Sequence, residues 1–350
     1  MGERLRKRHD ISAFLRYRHF RGGNVLLKKV LLWGSLALVA IVFPHMVSPY
    51  TLYLINLSCV YVILVVGLNF IFGCTGQISL AHAGFWGLGA YTSALLTTRF
   101  AFPFIGGLVG SILVGIAAGL LVGLPSLKLK GFYLAISTYA VGGIINLVLN
   151  NWSSVTRGAD GIPGIPPPHI GFWTANTGIK KYYFMLVFVV LIVLAFHRIK
   201  NSRLGRALQA IGDDEFAAEV MGVDTYRYKL LGFSASAVCA AIAGSLFAHL
   251  IGYISPDNFT SGESITLFCM LLLGGVRSTL GPVIGSILLV LLPESMRFLR
   301  EYCMLIYGIC VVILAIWAPE GIMGFIQSRL YTRNKAKDQV SWSQTGGVGD

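Results

Sequence analysis

The chain has 350 residues, of which 55% are hydrophobic and only 12% are charged, whereas soluble domains carry about 25% charged residues. Apolar runs of about 20 residues, enough to cross ~30 Å of hydrocarbon, recur along the whole sequence. This composition excludes an ordinary soluble domain, and the continuous runs disfavour the alternating strands of a β-barrel. We therefore predict an all-α fold, a polytopic bundle of transmembrane helices.

The net charge is +13. The basic residues are concentrated in alternate loops, which favours a membrane protein over a nucleic-acid-binding one. With the N-terminus in the cytoplasm, 22 Lys and Arg residues face inward and 6 face outward, as the positive-inside rule requires. Both termini are therefore expected in the cytoplasm. The eighth and ninth predicted spans, at 265–276 and 280–292, are short. The alternative to two separate crossings is one re-entrant pair. Hydropathy predicts eight to ten spans, at residues 30–46, 52–72, 78–98, 103–124, 132–150, 183–197, 230–252, 265–276, 280–292 and 303–318.

The spans divide the chain into segments. We expect a basic cytoplasmic tail at 1–29, a transmembrane domain at 30–318 and a partly disordered cytoplasmic tail at 319–350, which is polar and rich in Gly and Ser. The loop 151–182 is expected in the periplasm. Its many Gly and Pro residues cannot continue a helix, and it is either a stiff connection or a docking surface for an external partner.

A polar break interrupts the apolar pattern within residues 67–91, where Gly73 and Gly76 are expected to break the helix. Irregular backbone at membrane depth survives only where it is buried or lines a wet cavity. Helix breaks in transporters commonly form substrate paths, although a short cytoplasmic turn between two ordinary spans is the alternative. The predicted pathway residues are Asn69, Gly76, Gln77, Ser79 and His82.

Small residues recur every fourth position in the fourth and seventh spans, on one face of each helix. Such faces let two helices approach closely, either within the chain or against a partner subunit. The predicted packing residues are Gly115, Gly119, Gly123 and Gly244.

Catalytic chemistry is not apparent in the sequence. A Gly-Lys dipeptide is absent, which excludes a phosphate-binding loop of the G-x-x-x-x-G-K-[ST] kind. We predict neither catalytic residues nor a metal site, and we interpret the six cysteines as small core residues. All fifteen acids fall in loops, tails or span ends. This placement disfavours a proton relay inside the membrane and leaves sodium coupling open.

A charged segment at 198–229 carries six basic and five acidic residues between apolar runs. A first short amphipathic helix is expected to end at Gly212, and a second is expected to end at Gly222. The acids at the start of the second helix, Asp213, Asp214 and Glu215, suit the positive end of its dipole. A helix lying on lipid is one interpretation. Mixed charges suit an anionic membrane poorly, so a groove in a partner protein fits better.

Four segments together resemble the permease subunit of ABC uptake systems for branched-chain amino acids. They are 67–91, with Gly-Gln-Ile-Ser-Leu-Ala-His-Ala-Gly-Phe at 76–85; 127–133; 205–223; and 273–285. They follow one another in the family order. Residues 161–166 also resemble the external loop of the larger of the two permease types.

The resemblance implies a type II importer-like ABC permease that moves branched-chain amino acids across a bacterial inner membrane. Its partners would be a homologous second permease subunit, two ABC ATPase subunits, a periplasmic substrate-binding protein and the lipid bilayer, but no nucleic acid. This chain would be no enzyme and bind no cofactor, with ATP and magnesium held by the ATPase subunits. The alternatives are an ABC permease for urea, short amides or other amino acids, and a secondary transporter or channel working alone.

The resemblance also implies an ATPase-docking motif in the charged segment. Importers carry a cytoplasmic Glu-Ala-Ala-x3-Gly loop, and residues 217–222 align with it, although Phe216 stands where the motif has Glu. The predicted coupling residues are Arg206, Asp213, Asp214, Glu215, Phe216, Ala217, Ala218 and Gly222.

Overall fold

A computed structural model describes residues 41–129, 131–170 and 173–295, together with positions 308, 312, 321 and 323. The predicted basic tail, most of the first span, and nearly all of the tenth span and of the last tail lie outside the described residues. The chain divides after Leu52 into two units. The first unit contains a 3-10 turn at Phe43–His45 and the start of the first long helix.

Helices make up most of the described chain. They are α1 (Pro49–Thr75), α2 (His82–Thr98), α3 (Phe104–Ser126), α4 (Phe132–Asn151), α5 (Ser153–Thr156), α6 (Gly178–Lys200), α7 (Arg203–Asp213), α8 (Glu215–Val220), α9 (Thr225–Ile251), α10 (Ser261–Gly274) and α11 (Gly281–Ser295).

Five of these helices, α1, α3, α4, α6 and α9, are long and apolar enough to cross a membrane. Helix α2 has 17 residues, and α10 and α11 are shorter apolar helices. The predicted all-α, polytopic fold is therefore confirmed. The boundaries differ from the hydropathy prediction mainly at the polar break and in the charged segment.

At the polar break, the expected helix end at Gly73 is wrong, because α1 continues through Gly73 to Thr75. A side chain at Gly73 would come within 2.0 Å of Asn69 Oδ1, so this glycine makes room for the Asn69 side chain. Gly76 follows with a φ of +70°, a conformation that favours glycine, and there the helix ends. Residues 77–81 are not helical, so α2 begins at His82 and not at 78.

Helix α9 is the centre of the bundle, with α2 and α3 packed along it. The predicted small-residue faces form these contacts inside the chain. A Cβ at Gly115 or Gly119 of α3 would lie 2.8 Å from Ala241 Cβ or Ser234 Cα, respectively. A Cβ at Gly244 of α9 would lie 2.2 Å from the Trp86 carbonyl oxygen. Gly123 of α3 likewise faces Leu230 and Phe233 of α9.

The loop predicted at 151–182 is called the outer loop because it is expected in the periplasm. It is bound to the end of α9 rather than free. Strand β1 (Ile162–Pro163) pairs antiparallel with the strand at Tyr253–Ile254, and a hairpin joins His169–Ile170 to Trp173–Thr174. In chain order, β2 is His169–Ile170, β3 is Trp173–Thr174 and β4 is Tyr253–Ile254. The Ile165 N–H donates to the Gly252 carbonyl over 3.1 Å. The loop therefore forms a fixed cover at this end of the bundle.

A 3-10 turn at Pro256–Phe259 leads from β4 into α10 and is held by an aromatic cluster. The Trp86 ring meets the rings of Phe247 and Phe259 edge to face, with centroids 4.9 Å apart in each pair. Asn146 of α4 donates to the carbonyls of Pro256 and Phe259 over 2.7 and 3.1 Å. These contacts fix the point at which α10 begins.

The close approach of α9 to α2 predicts that Gly244→Ala destabilises the protein. The added methyl meets backbone atoms of Trp86 and Ala90, which cannot rotate away, and overpacking of this kind costs about 1–3 kcal/mol. We expect a lower midpoint in thermal unfolding of the purified protein. Gly143→Ala is the matched control, since its nearest neighbour, Ser261 Oγ, lies at an ordinary 3.6 Å. Equal midpoints for the two variants would contradict the packing argument.

Candidate functional site

The charged segment folds as two short helices that rest on the end of α1. In α7, Leu208 and Ile211 are buried, and Ser202 caps the helix by accepting from the Gly205 N–H. A Cβ at Gly212 would lie 2.5 Å from the Cys74 carbonyl oxygen, so α7 approaches α1 closely there. Helix α7 ends one residue after the predicted position, at Asp213.

Helix α8 is closed at both ends by local hydrogen bonds. Asp214 Oδ1 accepts from the Ala217 N–H over 3.0 Å, as an N-cap residue does. At the other end Gly222 has a φ of +83°, its N–H donates to Glu219, and the Val223 N–H donates to Ala218. This pair of bonds is a Schellman motif, which lets a helix end at a left-handed glycine. The single turn and a half of α8 is therefore a defined structure.

The outer face of α8 is apolar and exposed. Phe216, Val220 and Met221 are 76%, 70% and 84% exposed. Ala218, which the motif comparison also selects, is buried at 5% and lies beneath this face. The α8 face, defined as Phe216, Val220 and Met221, therefore includes two residues that are absent from the predicted coupling set. The signal that identifies them is the four-residue spacing from Phe216 to Val220.

The inner side of α8 is held by a buried ion pair. Glu215 Oε2 lies 2.6 Å from Lys229 Nζ, and the Lys229 side chain is only 7% exposed. A cavity of about 100 Å³ lies beside this pair. Its wall includes Gly76 and Gln77 from the polar break and Leu129, Gly131 and Leu134 around the start of α4. The cavity thus brings predicted pathway residues next to a predicted coupling residue.

The loop between α10 and α11 is tied to the same place. The Arg277 guanidinium lies 2.7 Å from Asp213 Oδ1, and a second nitrogen donates to the Gly212 carbonyl over 3.4 Å. Lys200 Nζ donates to the Arg277 carbonyl oxygen. Asp213 therefore does not serve as a helix cap. Instead it connects the charged segment at 198–229, also called the coupling segment, to the loop that joins α10 and α11.

Asn69 completes this junction from within α1. Its Oδ1 accepts from the Arg277 N–H over 3.2 Å, and its Nδ2 donates to the Ser278 carbonyl over 2.8 Å. The side chain is fully buried. Asn69 is thus engaged in holding the loop between α10 and α11. The remaining coupling residue, Arg206, donates to the Asn201 carbonyl and stays exposed.

Deeper in the bundle, α2 begins beside the middle of α1. His82 Nε2 lies 3.1 Å from the carbonyl oxygen of Leu64, near the midpoint of α1. Leu80 donates its N–H to Thr138 Oγ1 over 3.0 Å. Ser79 Oγ is buried and, among the described residues, has no hydrogen-bond partner. The segment 77–81 therefore rises from the cavity to mid-depth, buried inside the protein as irregular backbone in a membrane must be.

Helix α10 begins at the same depth from the opposite direction. The Ala83 N–H at the start of α2 donates to Ser264 Oγ of α10 over 3.0 Å. The neighbouring glycines Gly142 and Gly143, at the middle of α4, face Leu80 and Ser261, respectively. The N-termini of α2 and α10 thus meet near the middle of the bundle. The chain reaches α2 from one end of the bundle and α10 from the other.

One acid, Glu263, lies beside the middle of α1. Glu263, which falls between predicted spans, is in the first turn of α10. Its Oε2 accepts from the Tyr61 hydroxyl over 3.2 Å, and Tyr61 stands at the midpoint of α1. Hydropathy places this residue at a span end because the depth of a helix start depends on tertiary packing.

Comparisons with known proteins show the family of this chain. A family profile described as the permease component of branched-chain amino acid transport systems matches residues 50–315. The chain belongs to this family. The match extends over the helices from α1 through α11, and this permease is therefore a multi-pass membrane protein.

Three relatives show how far the similarity extends. The permease is 35% identical to the high-affinity branched-chain amino acid transport permease LivM of Escherichia coli, over 89% of this chain and 78% of that protein. It is 26% identical to LivH of Escherichia coli over 77% of this chain and 93% of LivH. It is 24% identical to a probable LivM of Methanocaldococcus jannaschii over 63% and 69% of the two chains. No solved structure matches this permease.

The ion pair beneath α8 predicts unequal effects for two acids of one helix. Glu215→Gln leaves the Lys229 ammonium buried without its partner, and removing one member of a buried pair costs up to 3–5 kcal/mol. Because the Glu215 side chain is 31% exposed, we expect about 2 kcal/mol, measured by chemical denaturation of the purified permease. Glu219→Gln, on the exposed side of α8, should change stability by less than ~0.5 kcal/mol. A reversed order of the two variants would contradict the assignment.

Proposed function

We propose that this permease is the membrane subunit of an ATP-driven uptake system that carries branched-chain amino acids across the inner membrane of a bacterium. The observation that carries the proposal is the 35% identity to LivM over 89% of the chain. The chain lacks a Gly-Lys dipeptide and hence a phosphate-binding loop. In this proposal ATP and magnesium are therefore bound by two partner ATPase subunits, and this permease forms half of the pore with a homologous second permease.

In this proposal the α8 face is the contact with an ATPase subunit. Three large apolar side chains, exposed by 70% or more, stand on a helix whose two ends are closed by its own hydrogen bonds. An apolar helix face of this kind is recognised by a groove in another protein. Four acids lie in or next to α8, namely Asp213, Asp214, Glu215 and Glu219, and they make attachment to an anionic lipid surface unfavourable.

Movement of α8 would be transmitted to the pathway through the contacts beside the cavity. The Glu215–Lys229 pair links α8 to α9, and the Asp213–Arg277 pair links α7 to the loop before α11. The cavity wall includes Gly76 and Gln77, where the backbone leaves the helix. Displacement of α8 therefore changes the space around the segment 77–81. We propose that this space is the cytoplasmic end of the substrate path.

The outer loop is proposed as the docking surface for a substrate-binding protein in the periplasm. It is fixed beside the end of α9 by strand pairing. At the start of α6, where the loop ends, Lys181 Nζ donates to the Leu250 carbonyl over 2.7 Å. A partner that presses on a fixed loop can influence α9 directly. This placement has the N-terminus and the C-terminus on the cytoplasmic side, as the distribution of basic residues predicts.

ATPase docking on α8 predicts a specific cross-link. A cysteine at Phe216 or Val220 should form a link to the ATPase subunit of the assembled complex with a short bifunctional thiol reagent. A cysteine at the buried Ala218 should not. Phe216→Ser should also reduce recovery of the ATPase subunit with the purified complex, because an apolar contact is lost, whereas Glu219→Ser should not. Equal recovery with both variants would argue against the α8 face as the contact.

The cargo assignment predicts leucine uptake by the reconstituted system. Proteoliposomes that contain this permease, the second permease encoded with it and the two ATPase subunits should accumulate leucine when ATP and the binding protein are supplied. Urea and short amides should not accumulate. Uptake by this permease alone without ATP would favour a secondary transporter or channel, and uptake of urea would favour the other ABC assignment.

A further inference from the structure

We propose that Glu263, with Tyr61 beside it, binds the ammonium group of the amino acid as it passes the middle of the membrane. The inference rests on the proposed function for the identity of the cargo. The sequence pattern selected neither residue, because Glu263 falls in a predicted loop and Tyr61 falls in an apolar run.

The depth of Glu263 follows from two independent helices. Helix α1 has 27 residues and spans about 40 Å, with Tyr61 at its midpoint and its hydroxyl 3.2 Å from Glu263 Oε2. On the other side, Ser261 at the start of α10 faces Gly143 at the middle of α4. Both relations place the Glu263 carboxylate near the centre of the bilayer.

The carboxylate has no positive partner within the part of the chain that the structure describes. The ion pairs of that part join other residues, and the Tyr61 hydroxyl is the one hydrogen-bond donor to Glu263 there. Glu263 is only partly buried, so part of this residue is exposed on the subunit. A carboxylate at the centre of a bilayer is costly unless it is paired or faces water. The face formed by α1 and α10 around Glu263 is therefore a wet surface and not a lipid-facing one.

The surroundings suit a small apolar amino acid. Leu57 is half-buried and lies one turn from Tyr61 on the same side of α1. A carboxylate with an apolar side chain nearby complements a cationic ammonium group next to a branched aliphatic side chain. The Tyr61 hydroxyl orients the carboxylate and leaves its other oxygen for the ammonium group. Such a site would be sensitive to the cationic end of the cargo while making little distinction among leucine, isoleucine and valine.

Helix α10 also connects this carboxylate to the coupling segment. Its first turn carries Glu263, and the loop after its last residue carries Arg277, which pairs with Asp213 of α7. The helix has only 14 residues, so a displacement of α7 is carried directly to mid-depth. The proposal therefore places ammonium binding at one end of α10 and the contact with α7, through Arg277, at the other.

Transport by the reconstituted complex, with radiolabelled leucine as the probe, tests the assignment. Glu263→Gln should reduce the amount of leucine taken up per ATP hydrolysed by about tenfold or more, the effect of losing one charge-assisted hydrogen bond. Glu263→Asp should restore part of it. The control Asp257→Asn removes an exposed acid from the same connection and should leave uptake unchanged. Unchanged uptake with Glu263→Gln, while the unsubstituted complex transports leucine, would overturn the inference and leave the proposed function standing.

Thiol labelling supplies a readout that does not depend on the cargo. Thr266 lies one turn from Glu263 on α10, and Thr266→Cys in the assembled complex should react faster with a cationic methanethiosulfonate than with an anionic one. Adding Glu263→Gln should abolish that preference, and Leu194→Cys on exposed α6 serves as a control outside the path. No reaction at Thr266→Cys, together with loss of subunit assembly in Glu263→Gln, would mean that the carboxylate pairs with the partner permease, which also overturns the inference. If Thr266→Cys keeps its preference for the cationic reagent in a complex that fails to transport leucine, leucine is rejected as the cargo. The cationic site at Glu263 then stands.

Discussion

The structure depends on the constraint that backbone polar groups inside a bilayer must find partners within the protein. Within the residues that the structure describes, the backbone leaves α-helical geometry at 77–81 and around 253–260, and other helices pack against both segments. Thr138 accepts from the Leu80 N–H, and Asn146 donates to two carbonyls of the second segment. Because each irregular segment has such partners, α2 and α10 can begin at mid-depth. The position of the proposed substrate path follows from these two interrupted crossings.

Close helix packing makes the enclosure possible. Glycines such as Gly89 and Gly244 let α9 and α2 approach until backbone touches backbone, and the aromatic rings of Trp86 and Phe259 fill the space where α10 begins. At the other end of α10, Asn69 and Arg277 join three separate parts of the chain through hydrogen bonds and one exposed ion pair. An exposed pair contributes little to stability, so its value lies in connecting α7 with α10. The same contacts that enclose the irregular backbone therefore also supply a route from the coupling segment to the centre of the membrane.

Much of this was predictable from composition and local pattern. Long apolar runs determined that the chain is a polytopic helical protein, because hydrocarbon tolerates few other structures. The acids at 213–215 and Gly222 marked the two ends of α8, because the helix dipole and the glycine stop act between neighbours in sequence. The spacing of Phe216 and Val220 placed them on one face for the same reason. Gly73 was misread as a break, because whether a glycine ends a helix or makes room for a neighbouring side chain depends on what packs against it.

The sequence by itself determined the fold class, the charged segment and its two short helices, since each follows from residues within a few positions of one another. Only the tertiary structure decided the depth of each polar group. Glu263 reads as a loop residue and lies beside the middle of α1, Asn69 reads as a pathway residue and holds a distant loop, and Arg277 reads as a basic residue of a short connection and pairs with Asp213. The physical reason is that depth and pairing are set by contacts between residues some 60 to more than 200 positions apart, and hydropathy averages over about 20 residues only.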